Sequence, residues 1–252
     1  MNANEYSALY NSLNNLDDVR ELSKKRGLDR NLLIVILTQK IVRDTKKRYY
    51  HVKTLVPELT REWKKGVSLS DLARRINFPP VLTASMVMQQ MNVPKSTFTN
   101  YVHNPGMITD QRLKAEITKI LSEDLVYSPQ GTTMMWERGK EVERIVKVWL
   151  TENKIRFITE YDAKKSQHIK TPDFRLEFPV KMFGKWVNWI ECKASFGDDV
   201  EVKRDYFKQL VHYVDLFGQG IVVYWYGYLE GALKDSHIIT TDRKLVEGLP
   251  MT

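Results

Sequence analysis

Cysteine is nearly absent: Cys192 is the one thiol in 252 residues. A single cysteine excludes an internal disulfide and a cysteine-rich zinc site. Histidine offers no substitute, because His51, His103, His168, His212 and His237 are scattered without paired ligand spacing. Long apolar runs are missing too. The longest, Ile221 to Leu229, is interrupted by Gly227 and is too short to span a bilayer. Met1 to Glu5 is polar and lacks the apolar core of a signal peptide. There is no internal repeat and no low-complexity tract. Together these absences point to a soluble intracellular chain, cytoplasmic or, in a eukaryote, nuclear, with no membrane partner.

What is present is charge of one sign, unevenly placed. The chain carries +8, and residues 1–124 hold 20 Lys/Arg against 13 Asp/Glu, so +7 of it lies there. A basic half beside a nearly balanced one predicts a division of labour in which one part holds a polyanion and the other acts on it. A nucleic acid is the expected polyanion, and a merely solvated basic surface is the alternative.

Periodicity divides the chain in a similar way. Residues 1–124 read as helical, with two helix-turn-helix candidates. In the first, Asp17 or Asp18 caps a short helix, Gly27 turns the chain, and Leu28 to Val42 forms the second helix. In the second, a helix starts at Ser68 or Ser70, Asn77-Phe78-Pro79-Pro80 breaks it, and Val81 to Met91 is the recognition-like helix. Lys40 to Tyr50 adds cations beside Tyr49 and Tyr50, suited to phosphates and an unpaired base or to a solvated helix end. A helix over Thr109 to Leu121 follows. Residues 125–133, with Ser128-Pro129-Gln130-Gly131, read as a linker. From 134 to 252 the pattern becomes α/β: a helix over Trp136 to Leu150, a strand over Ile155 to Tyr161, a hairpin, a helix over Val200 to Phe217, a strand over Ile221 to Tyr228, and a last strand at His237 to Thr241.

The hairpin carries the chemistry. Thr171-Pro172-Asp173 opens an alternating stretch, Phe174 to Phe178, and Trp189-Ile190-Glu191-Cys192-Lys193 closes a second one, with Gly184-Lys185 as the turn between. Residues i and i+2 of a strand share a face, so Glu191 and Lys193 point one way and Cys192 the other. Pairing that brings Asp173 to Glu191 places two carboxylates beside one ammonium. Such oxygens suit a hard divalent cation, and a lysine beside them can orient a water or steady a phosphate. Cys192, facing away, reads as a small buried residue rather than a nucleophile.

Pro172-Asp173 followed by Glu191-Cys192-Lys193 resembles the PD-(D/E)xK nuclease signature. The longer strings Lys170-Thr171-Pro172-Asp173-Phe174 and Trp189 to Asp198, followed by Phe217-Gly218-Gln219-Gly220 and Val223 to Gly227, are similar to its TPD branch. The resemblance is firm over roughly residues 135–230. It implies an α/β chain in which a restriction-endonuclease-like domain follows an all-α, helix-turn-helix-containing part. It further implies a Mg²⁺-dependent endonuclease acting on DNA, structured or branched DNA included, with Mn²⁺ as a substitute. Asp173, Glu191 and the backbone carbonyl of Cys192 would hold the metal, and Lys193 would serve the attacking water or the phosphate. The family's Gly-x-x-x-Glu pattern favours Glu143, after Gly139, as a further metal acid; helical geometry alone leaves Glu141 equally open, and Glu137 stands behind both. Gln209 and Tyr213 match a Gln-x-x-x-Tyr element of related nucleases, whose amide and phenol would position the scissile phosphate or a water. Animal members are tied to a protein partner, which implies one here, and a homodimer stays open. The alternatives are a nucleic-acid-binding or adaptor protein whose nuclease fold is mainly a scaffold, and an RNA nuclease.

Overall fold

The computed structural model describes residues 1–166 and 171–248. His168 and Lys170, the latter the first residue of the Thr-Pro-Asp string, lie outside the described residues. The chain forms two compact units: residues 1–37 with 137–252, and residues 38–136. These boundaries differ from the expected division at 125–133. Three observations account for the difference, one in the first helices, one in the long helix that follows, and one at the expected linker.

Helix α1 (Ala3–Ser12) starts in a capping box, with Asn2 accepting from the Glu5 N–H at 2.9 Å and Glu5 accepting from the Asn2 N–H at 3.0 Å. Its Tyr6 stacks on Phe196 at 5.0 Å between ring centroids and its hydroxyl hydrogen-bonds to Asp198, so α1 packs with the sheet that follows much later in sequence. Helix α2 (Leu16–Arg26) is capped by Asn15 rather than by Asp17 or Asp18, and Asp18 completes the capping box. Gly27 ends it at φ 63°, the left-handed conformation that glycine adopts without cost. Helix α3 (Arg30–Lys64) is far longer than Leu28 to Val42 predicts. Lys40 to Tyr50 is therefore helix interior, not a helix end. Arg48 is occupied there, donating to the carbonyls of Ile76 and Asn77 at 2.6 Å each.

The second unit packs the later turns of α3 with α4 (Leu69–Arg75), α5 (Pro80–Gln90), α6 (Lys95–His103) and α7 (Gln111–Glu123). Ser68 caps α4. Asp124 caps α5 through the Val81 N–H at 3.0 Å. The core joins Leu59, Leu72, Val87, Met88, Phe98, Val102, Ile117 and Ile120. Val81, Thr83, Ala84, Val87 and Met88 are all buried, so α5 packs one side into the unit's core. The sequence pattern marked α5 as recognition-like because small and amide residues are common to both roles; its Gln89 and Gln90 alone among the residues singled out are exposed. The stretch expected as a linker contains the start of α8 (Pro129–Glu152), because Ser128-Pro129 is a helix-start signal: the Ser128 hydroxyl accepts from the Gly131 N–H at 3.0 Å.

The remainder of the first unit is a five-stranded sheet in the order β1 (Phe157–Thr159), β2 (Phe174–Met182), β3 (Lys185–Lys193), β4 (Gly220–Tyr224), β5 (Ile238–Thr241). β1, β2 and β3 are antiparallel neighbours, while β3, β4 and β5 run parallel. One face packs Val146 and Leu150 of α8 with Phe174, Ile190, Ile221 and Val223. The other packs Trp189, Val222 and Tyr224 with Val202, Leu210 and Tyr213. Those last three come from a helical segment expected as one helix over Val200 to Phe217. It is instead α10 (Asp199–Asp205), a π turn over Tyr206–Leu210 and α11 (Val211–Phe217). Between β1 and β2 lies α9 (Glu160–Ser166), which the strand pattern did not foresee. Gly220 opens β4 directly against the Trp189 ring, leaving no room for a Cβ. No helix among the described residues is long and apolar enough to cross a membrane.

Candidate active site

Register builds the site. Phe174 pairs with Ile190, which aligns Asp173 with Glu191 across the β2–β3 ladder. The Asp173 N–H donates to Glu191 Oε2 at 3.2 Å. One Asp173 oxygen accepts from the Cys192 N–H at 2.8 Å. The Lys193 carbonyl accepts from the Trp225 N–H on the β4 side. Backbone groups alternate along a strand, so the Cys192 N–H and C=O both face the opposite edge, where Asp173 stands. Lys193 Nζ donates to Glu191 Oε1 at 2.6 Å and to Gln209 Oε1 at 2.5 Å. Asp173, Glu191, the Cys192 backbone, Lys193 and Gln209 are thus brought together.

The electrostatics follow from burial. Glu191 is 4% exposed. Burial raises the Asp173 carboxyl well above its ordinary value and the charge of Glu191 adds to the effect, while the Cys192 N–H opposes it. Burial raises Glu191 as well, against the pull of Lys193. Burial works to lower Lys193, but Glu191 and Asp205 more than offset it, and the ammonium holds its proton more tightly than a free lysine. Burial pushes the Cys192 thiol well up, so it is inert as a nucleophile.

Of the two helix acids, Glu143 is the one whose charge bears on Asp173. Glu143 pairs with Lys140 at 2.9 Å, whereas Glu141 is held by Arg144 at 2.7 Å. Among the described residues no three His, Cys, Asp or Glu side chains come together as a metal cage. Two buried hard oxygen donors with one compensating ammonium fit Mg²⁺, which binds through one or two carboxylates and keeps several waters. Tyr213 is buried, its ring meets the Trp189 edge, and its hydroxyl donates to the Thr171 carbonyl at 3.0 Å. That bond holds the Thr-Pro-Asp turn.

Beside Lys193 opens a pocket of about 740 Å³, lined by Glu160, Thr171, Lys193, Arg204, Asp205, Phe207, Lys208, Gln209 and Tyr213. Sequence reasoning missed Glu160, Arg204, Asp205, Phe207 and Lys208. Glu160 had a signal: it follows the strand that pairs with β2, and its N–H donates to the Asp173 carbonyl at 3.1 Å. Phe207 and Lys208 had none, since their direction depends on the π turn.

Residues 109–244 match the profile of the family described as "Protein of unknown function TPD sequence-motif". The chain belongs to the TPD family. It is 28% identical over 214 residues to the human protein "CDAN1-interacting nuclease 1", covering 79% of this chain and 76% of that one. The Xenopus laevis protein of the same name is 31% identical over 180 residues, 69% of this chain and 59% of the relative. The chicken protein is 27% identical over 230 residues, 84% of this chain and 80% of the relative. No solved structure is significantly similar to the chain. The family match covers β1 to β5 and every residue of the Asp173, Glu191 and Lys193 cluster.

Proposed function

We propose that this TPD protein is a metal-dependent endonuclease of the PD-(D/E)xK type that hydrolyses phosphodiester bonds in DNA. The observation that carries the reading is the cluster of Asp173, Glu191 and Lys193, whose lysine lines a pocket together with Arg204, Lys208, Glu160 and Asp205. The relatives' name, a nuclease, supports it. So does the order helix, three antiparallel strands, helix, parallel strand, which is the core order of the restriction-endonuclease-like fold.

In this reading Asp173, Glu191 and the Cys192 carbonyl hold Mg²⁺, and Glu143 acts on the site through its charge or through water. A bound Mg²⁺ supplies Lewis acidity to the phosphoryl oxygen and acidifies the attacking water. Lys193, protonated, is no general base; it stabilises negative charge gathering on the phosphate and orients the water. Gln209 fixes the Lys193 rotamer, and Tyr213 fixes the backbone that carries Asp173. The Glu191–Lys193 ion pair also supports a second reading, since it lets the site stand without metal, as an adaptor scaffold would need. The name of the relatives ties them to CDAN1 and supports a protein partner for this chain.

The basic unit is the polyanion-holding part. Residues 38–136 hold 15 Lys/Arg against 8 Asp/Glu, or +7, while residues 1–37 are neutral with five of each. Its groove-reading helix is α6, preceded by α5 and a turn. Phe98 and Val102 anchor α6 in the core, and Lys95, Ser96, Thr99, Asn100 and His103 are exposed. The test is cleavage of linear, single-stranded, flapped and four-way-junction DNA, with matching RNAs, in Mg²⁺ and in chelator. Cleavage in Mg²⁺ alone is expected; no cleavage, with no Mg²⁺-induced rise in Tm, would leave the scaffold.

A further inference from the structure

Phe207 stands in an unusual place for a large apolar side chain. It is 64% exposed, yet it lines the pocket beside Lys193. Burial in a core explains most phenylalanines; it does not explain this one. The backbone presents it there deliberately. The Val211 N–H bonds to the Tyr206 carbonyl, an i→i+5 bond that widens the helix by one residue. In a regular helix three successive residues sweep about 200°. Here Phe207, Lys208 and Gln209 all line one pocket. The Tyr206 ring supports Phe207 edge-on at 5.3 Å, and its hydroxyl is fixed to Asp235 at 3.1 Å.

A second observation lies on the pocket wall. The Thr171 hydroxyl is buried and has no hydrogen-bond partner. A buried hydroxyl without a partner costs free energy, and it fits a site whose partner arrives with a ligand. The pocket holds three cations, Lys193, Lys208 and Arg204, beside two acids, Glu160 and Asp205, and Arg204 is paired with Asp205 and Glu201. An exposed aromatic face, an ammonium at Lys208 and an unsatisfied hydroxyl match the parts of a nucleotide: base, phosphate and polar edge. A base within a duplex keeps both faces covered by its neighbours. Only an unpaired or splayed base offers a face to Phe207.

We propose that this pocket is a subsite for one unpaired nucleotide next to the scissile phosphate, with Phe207 as its stacking platform, so that the substrate is a single strand or a locally opened junction. The proposal rests on the nuclease reading of the same site and names its substrate class.

The test separates the two. The full chain, in chelator so that nothing is cut, is titrated into a single-stranded DNA carrying 2-aminopurine and into the same sequence as a duplex. Stacking should quench the single-strand fluorescence. Phe207→Ala should lose the quench and weaken single-strand binding roughly tenfold, in line with base–aromatic stacking, with duplex affinity unchanged. Phe207→Tyr should restore both, whereas Phe207→Leu should not. Thr171→Val should also weaken single-strand binding. Phe207→Ala or Phe207→Leu that binds and quenches like wild type would overturn the proposal. Quenching by a protein that cuts nothing in Mg²⁺ would keep the subsite and remove the nuclease reading; cutting without quenching would do the reverse.

Discussion

Asp173 and Glu191 bring two carboxyls into a space where Lys193 is the ammonium bonded to Glu191. Both carboxyls titrate above their ordinary values. From the unfolded values near 4 up to the raised folded ones, the folded chain therefore binds more protons than the unfolded chain. Stability must fall as pH rises through that window. In chelator, Asp173→Asn should raise Tm at neutral pH and flatten this dependence, because the amide oxygen can still accept from the Cys192 N–H. Thermal melts across mildly acidic to neutral pH check this, and a lower Tm for the Asn variant at neutral pH would contradict it. Glu143 and Glu141 give a second comparison. Glu143→Gln should lower cleavage roughly 10–100-fold, as removal of an outer-sphere partner of a metal does. Glu141→Gln, an exposed partner of Arg144, should stay near wild type. Turnover of the two variants in Mg²⁺ decides between them. At this scale Glu191 and Lys193 were legible because strand alternation puts them on one face and Cys192 on the other; that Asp173 meets them depended on the pairing of the two strands. Phe207 was not, because helical periodicity assigns it a direction that the π turn changes.

Elements were legible where local signals agree. Ser68 and Gly27 mark helix ends in the sequence and in the structure. The hairpin itself was legible from its two alternating stretches, but its register was not: the shift between Arg175 and Val180 is what brings Asp173 opposite Glu191. Two elements misled for physical reasons. Val81 to Met91 reads as a helix exposed for recognition, but it packs Val81, Ala84, Val87 and Met88 in a core shared with Phe98 and Ile117 and leaves Gln89 and Gln90 exposed. Ser128-Pro129-Gln130-Gly131 has the composition of a loop, but the serine and proline begin a helix, and Gly131 lies so close to the Leu125 carbonyl that a side chain there would collide. The reassignment to α6 has its own consequence. Asn100→Ala should weaken binding to duplex DNA and relax any sequence preference, while Lys95→Glu should weaken it for all sequences and reduce the salt dependence by about one counterion. Affinity titrations at several salt concentrations measure both. Gln89→Ala, on the exposed end of α5, should leave binding unchanged; the reverse pattern would return the reading role to α5.

For the whole molecule, the charge asymmetry read from the sequence survives the redrawn boundaries and becomes sharper. The sequence places +7 in residues 1–124; residues 38–136 carry all of it. The boundary itself was not legible, because the contacts that join residues 1–37 to the sheet, such as Tyr6 on Phe196 and Arg243 to Asp29 at 3.5 Å, lie almost two hundred residues or more apart in the chain. Local patterns carry no trace of them. The account as a whole rests on Asp173 acting in Mg²⁺-dependent hydrolysis. The most direct measurement is the cleavage rate of purified Asp173→Ala beside wild type, on the best substrate of the panel, with equal folding by circular dichroism and equal DNA binding in chelator. Loss of a metal ligand should cost several kcal/mol of transition-state stabilisation, so the rate should fall roughly 10³-fold or more. Undiminished cleavage by Asp173→Ala would contradict the assignment of this site.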